Sequence, residues 1–295
     1  MNRYLRTLCL LAVVLSLSGC GTRTAYNNLD WLTQRWVNQQ VDLHDWQREQ
    51  LDEMLEAQLA WHCATQLADY QAWIEEVRMD LLAGRLDRGR IEAHGETMAG
   101  FARALADQLQ PALVELAAGL DDDQVEQLIS AFGERIEAFR ESVADTSEQD
   151  LVEERLARME RGLRRLMGRP NAAQRERLAD WSESVVPTED YQLQQRLYWQ
   201  ERIGGALARR DNREFLSAEI GAFLQPDAVW SDEYRHAIES NRELTLDALE
   251  DVLRLANDRQ RTRLSTRLYR LQRDFGRLSC EGEAPPELLA AAGSA

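Results

Sequence analysis

Apolar residues recur at three- and four-residue steps along almost the whole chain, and no alternating β-branched run interrupts them. After His44 one stripe runs Leu51, Leu55, Leu59, Cys63, Leu67, Tyr70, Ile74, Val77 and Leu81. That spacing predicts a single helix of roughly ten turns with one buried face, Cys63 included. Gly84 ends it, and Asp87 caps a second helix that runs to Gln110, where Pro111 should kink or stop it. A third opens at Gly119 and the acidic Asp121-Asp122-Asp123 and runs to about Met167. Further breaks fall at Gly168-Arg169-Pro170-Asn171, Pro187-Thr188, Pro226 and Ser231, and the last helix ends near Leu278. The pattern predicts an all-α fold: an elongated bundle of about seven helices, several very long, with no β-sheet. A seam between sub-bundles is expected near residues 168–172 or 187.

One phrase recurs at helix starts: a polar residue, Gln three positions on, and Leu four beyond that. It reads His44…Gln47…Leu51, Asp121…Gln124…Leu128, Asn171…Gln174…Leu178 and Asn257…Gln260…Leu264. The uneven intervals exclude a fixed-period solenoid. Helix capping accounts for it, since the first side chain accepts from a first-turn N–H while Gln reaches back to the cap. The fourth copy fits equally well inside a continuous helix.

Composition adds an address. Arg3 and Arg6 precede an apolar stretch from Leu8 to Leu17, too short to span a bilayer, and Leu17-Ser18-Gly19-Cys20 follows. Residues 1–19 read as a signal peptide. The four residues ending at Cys20 resemble the bacterial lipobox, which implies that Cys20 is cleaved to become the N-terminus and acylated with several chains, palmitate-type lipid among them. Residues 20–25 then form a tether, 26–280 the helical domain, and 281–295, with Pro285-Pro286, a disordered tail. Gly21-Thr22 lacks the Asp that holds many lipoproteins at the inner membrane. In a Gram-negative cell the expected location is the outer membrane, periplasmic face.

Of four cysteines, Cys9 leaves with the signal and Cys20 carries lipid. Cys63 and Cys280 remain, and in an oxidising compartment they are expected to form a disulfide.

The chain carries 51 acids against 35 bases, a net charge of −16, and every base is Arg. Such a chain is a poor nucleic-acid binder, because phosphate affinity comes from neutralising cations. Arginine is concentrated in residues 155–169 and along the last helix, where Arg259, Arg263, Arg267, Arg270, Arg273 and Arg277 form a stripe beside an apolar one. The acidic excess makes pairing with the chain's own carboxylates the expected role of that stripe. The competing role is contact with an anionic lipid or acidic partner.

No catalytic or metal motif appears. His62 and Cys63 are neighbours and point about 100° apart on a helix, wrong for one metal. Glu233-x-x-His236 has no second copy, and the Asp121–Asp123 triplet lacks calcium-loop spacing. Trp31, Trp36, Trp46, Trp61 and Trp73 crowd the N-terminal quarter. Helix packing is their expected use, with a membrane or ligand surface as the competitor.

Tyr26-Asn27-Asn28-Leu29-Asp30-Trp31, with Asp42-Leu43, Gln47, Trp61-His62, Leu67 and Tyr70, resembles an uncharacterised family of all-helical proteobacterial lipoproteins. The resemblance implies fold and location and carries no activity. More weakly, Leu43-x-x-x-Gln47 and Leu120-x-x-x-Gln124 resemble a signature of small helical periplasmic chaperones. The expected function is a non-catalytic, cofactor-free, lipid-anchored envelope scaffold or adaptor. Its partners are the membrane, through Cys20, and an envelope protein or anionic envelope component. The rival is a lipid-tethered holdase.

Overall fold

The computed structural model describes residue 26, residues 28–144 and residues 146–278. The signal peptide, Cys20 with its tether, Cys280 and the tail of residues 281–295 lie outside the described residues.

Among the described residues the fold is all-α, with no strand. There are eleven helices rather than about seven: α1 (Leu29–Asn38), α2 (Asp45–Thr65), α3 (Leu67–Leu82), α4 (Arg88–Ala118), α5 (Asp122–Ala144), α6 (Glu148–Leu166), α7 (Ala172–Ser184), α8 (Glu189–Leu207), α9 (Arg213–Leu224), α10 (Asp232–Arg254) and α11 (Asp258–Phe275). A 3-10 turn, Pro226–Val229, precedes α10.

Each extra break has a local cause. The long stripe divides at Gln66, where the Thr65 hydroxyl donates to the Trp61 carbonyl at 2.8 Å and competes with the helix's own bonds. The segment expected to run unbroken to Met167 is divided by Ser147, which accepts from the Asp150 N–H while the Asp150 carboxylate accepts from the Ser147 N–H. Asn212 caps α9 through the Phe215 N–H, and Asn257 caps a separate α11 rather than lying within one continuous helix.

Pro111 does not stop the helix. Helix α4 runs through it for 31 residues, about 46 Å. An interior proline costs about 3 kcal/mol. Here α4 packs against α2, α3, α9 and α10, and Gln110, beside the proline, donates to the Ser217 carbonyl of α9 at 3.0 Å. Packing on several sides outweighs the local penalty.

Three apolar clusters hold the bundle. The first joins Leu51, Val114 and Leu120 to Ala206, Leu207 and Leu216. The second lays α11 along α3, joining Ile74 and Leu81 to Leu268, Leu271, Phe275 and Leu278, with Tyr26, Cys63 and Tyr70 packed against them. The third joins Leu163 and Met167 to Leu178, Val252 and Ala256.

The recurrent glutamines link these elements in pairs. Gln47, Gln124, Gln174 and Gln260 are all buried. The amides of Gln47 and Gln124 bond each other in both directions, at 2.8 and 2.7 Å. Their second amide hydrogens go to the Gly119 and Asp42 carbonyls. This joint ties the start of α2 to the start of α5. Likewise Gln260 donates to Gln174 at 2.8 Å and to the Arg169 carbonyl at 3.1 Å, tying the start of α11 to the start of α7. In each joint the residue whose carbonyl is taken, Asp42 or Arg169, stands five before the first glutamine. Each glutamine also accepts from its own cap N–H, so local capping and long-range pairing share one side chain.

Candidate functional site

The second joint sets the candidate site. It holds the end of α6 beside the first turn of α11, because Gln260 binds the Arg169 carbonyl. Helix α6 ends at Leu166 and the chain reverses through Gly168 at φ +100°, a conformation that favours glycine. The Arg263 side chain lies over that glycine, 3.6 Å from where a Cβ would stand. Leu264, Leu268, Leu271 and Phe275 turn inward, so Arg263, Arg267 and Arg270 are left on the outer side of α11.

This face is cationic. Arg165, Arg259, Arg263, Arg270 and Arg277 are exposed and form no ion pair among the described residues. Arg273 reaches Asp274 at 3.4 Å. Burial, then the like charges of Arg263, Arg270 and Arg165, hold the Arg267 guanidinium below its ordinary value. Four guanidiniums from two helices therefore sense one another. The acids are engaged elsewhere: Arg88 holds Glu243 and Asp247, Arg242 holds Glu92, Arg177 holds Asp251 at 2.7 Å and Arg202 holds Glu219.

Chemically the face suits an anion. A guanidinium presents a planar fork of donors that matches phosphate or carboxylate. It offers no nucleophile and no proton acceptor.

The remaining candidates are placed as follows. Cys63 is half-buried in the second cluster, whose last described member, Leu278, stands two residues before Cys280. Burial lowers His62 to about 4, and its Nδ1 lies 3.0 Å from the Tyr26 hydroxyl. Asp121 caps α5 and faces His44 at 2.8 Å. Glu233 and His236 are exposed on α10. Among the described residues no group of three or more His, Cys, Asp or Glu is placed to hold a metal. The tryptophans divide: Trp61 is buried and Trp73 half-buried in the packing, whereas Trp31, Trp36 and Trp46 are exposed.

Sequence reasoning missed one partner here. Arg165 belongs to the face through the α6–α11 contact, which no spacing reveals. The only sequence sign was the second arginine concentration in residues 155–169.

The match to known families covers residues 39–235. The chain belongs to a family of unknown function, DUF6279. No curated protein and no solved structure matches it. The family's matched span contains Gln47, Gln124 and Gln174 and ends before Gln260 and the arginines of α11.

Proposed function

We propose that this chain is a non-catalytic, lipid-anchored envelope protein of the periplasmic face, and that it works as a scaffold or adaptor whose arginine face receives an anionic envelope component. The observation that carries this reading is the gathering of guanidiniums from α6 and α11 on one side, with Arg165, Arg259, Arg263, Arg270 and Arg277 exposed, on a chain of net charge −16. Anchoring through Cys20 rests on the lipobox, and placement at the outer membrane on the residues after it. Among the described residues no helix is long and apolar enough to cross a membrane, so attachment falls to acyl chains at Cys20. A Cys63–Cys280 bridge belongs to the same reading. Its support is the oxidising compartment and the seating of Cys63 beside Leu278.

The test is in-cell crosslinking and pull-down of the lipidated protein, with Cys20→Ala as the mislocalised control. The triple variant Arg263→Gln/Arg267→Gln/Arg270→Gln should lose the captured component in a salt-dependent way while its melting temperature holds. Unchanged capture by the triple variant overturns the adaptor reading. The second reading, a tethered holdase, has the exposed Trp31, Trp36 and Trp46 in its favour. Suppression of client aggregation by the purified protein at stoichiometric ratios would establish it.

A further inference from the structure

Helix α1 has two dissimilar sides. Val37 packs into the first apolar cluster, and Gln34 bonds Asp52 of α2, so this side faces the body. At 100° per residue the opposite arc holds Leu29, Trp31, Leu32, Arg35 and Trp36. All five are exposed, Trp31 at 56% and Trp36 at 52%. The arc carries one charge, and it is positive. Arg35 lies 5.9 Å from the Trp31 ring, and Arg135 of α5 lies 5.4 Å from the Trp36 ring. Large apolar side chains with tryptophan and arginine at the rim, and no acid, are unusual on so acidic a chain. They are what a bilayer's headgroup layer accommodates.

Chain length says what lies opposite. Tyr26 is pinned to the body through His62 and the second cluster. Six residue steps separate it from Cys20, a reach of about 21 Å at full extension. Helix α1 starts three residues later. If Cys20 sits in the bilayer, α1 is the first described helix to follow it and starts within about 32 Å of chain from the anchor.

We propose that the outward face of α1 lies in the headgroup layer of the membrane that holds Cys20, so that the protein is docked on the bilayer at two points rather than hung from a tether. This rests on the reading of Cys20 as the lipid anchor. The test must therefore separate the two. The mature chain with a hexahistidine segment in place of Cys20 can be attached to phosphatidylcholine vesicles containing a nickel-chelating lipid and a brominated lipid. Bilayer bromine quenches only tryptophans that enter it. Two of the eight tryptophans should respond, a loss of roughly a quarter of the emission. The variant Trp31→Phe/Trp36→Phe, checked for fold by circular dichroism, should lose that quenching and stay attached.

No quenching of the wild-type chain overturns the proposal. So does equal quenching in the variant, which would locate the contact elsewhere. Concentration-dependent dimers of the untethered chain that the variant abolishes would assign the face to a second copy instead. Mass spectrometry of the natively expressed protein reads the anchor separately: an unmodified Cys20 beside normal quenching removes the anchor and leaves α1 docking standing.

Discussion

The two glutamine joints solve one problem with different chemistry. In each, two helix N-termini meet inside the bundle and bring unsatisfied N–H and C=O groups with them. In the first, Gln47 and Gln124 bond reciprocally, and the caps outside them are His44 and Asp121, ionisable groups 2.8 Å apart. In the second, one amide bond joins Gln260 to Gln174, and the caps are the neutral Asn171 and Asn257. The carbonyl just before each cap takes an arginine. Arg48, Arg175 and Arg261 each serve their own helix start, at Leu43, Pro170 and Ala256. Leu120 is served from a distance by Arg210 of the turn between α8 and α9, which also holds Asp122 at 2.6 Å. The first joint is thus tied by charge and by the α8–α9 turn. The second has neutral caps and leans on the end of α10, where Gln174 donates to the Val252 carbonyl and Asn171 to the Leu255 carbonyl.

The largest effect expected concerns the bridge that would span both. Cys63 lies near the end of α2, which starts at the first joint, and Cys280 lies beyond α11, which starts at the second. Closing so long a loop stabilises by about 5 kcal/mol as an upper bound. Cys63→Ala/Cys280→Ala should lower the urea midpoint by an amount that reduction of the wild type reproduces. If reductant leaves the wild type unmoved, the bridge is absent.

Next come the glutamines. Gln174→Ala strands the Asn171 N–H, the Val252 carbonyl and the Gln260 amide, about 3 kcal/mol in all. Gln47→Ala should cost a similar amount. The comparison is sharpened by double-mutant cycles in urea. The Gln47/Gln124 coupling should exceed that of Gln174/Gln260 by about 1 kcal/mol, because it contains one more amide bond. Equal couplings would mean that the reciprocal geometry contributes nothing.

Acid should break the symmetry. His62 sits near 4, below its ordinary 6.5, so the fold favours its neutral form. That stability is present above pH 6.5 and is lost as pH falls through 4, up to about 3 kcal/mol. Asp121 is held below its ordinary value by the Gln124 N–H first and His44 next, so its contribution also disappears as pH falls. Asp80 is raised by burial, but its bonds to Arg90, Arg85 and His94 win and hold it at about 2, so the turn from α3 to α4 loosens last. Hydrogen exchange as pH is lowered below about 4, under the ordinary value of Asp121, should therefore open the first turns of α2 and α5 before those of α7 and α11. The reverse order would refute the contrast.

The smallest effect belongs to the arginine face. Arg263→Gln/Arg267→Gln/Arg270→Gln should change stability by less than about 0.5 kcal/mol, because these groups repel one another as much as they bond. A clear drop in melting temperature would reveal internal pairing after all.

The sequence made the helical class legible through its three- and four-residue steps, and it marked all four glutamine starts. It did not reveal their pairing. A glutamine three residues after a cap is fully explained by local bonds, whereas its partner stands 77 or 86 residues away. Helix number was undercounted because Ser147 and Asn212 cap within otherwise continuous apolar periodicity. Pro111 was overweighted because its local cost is visible and its packing partners are not. The α11 arginines were found by spacing, but that Arg165 of α6 joins them depends on the fold. Trp31 and Trp36 sit at helical spacing like core residues, and only burial tells them from Trp61.

The positions of the joints along the chain also bear on how it folds. One encloses the segment between Gln47 and Gln124, the other that between Gln174 and Gln260, and the two loops neither overlap nor nest. Their closure entropies differ by about 0.1 kcal/mol, so neither has a head start from chain length. Each loop can shut without waiting for the other, and a molecule with either one shut has made no contact that must later be undone. Arg210, reaching from inside the second half to the Leu120 carbonyl, then stitches one finished loop to the other.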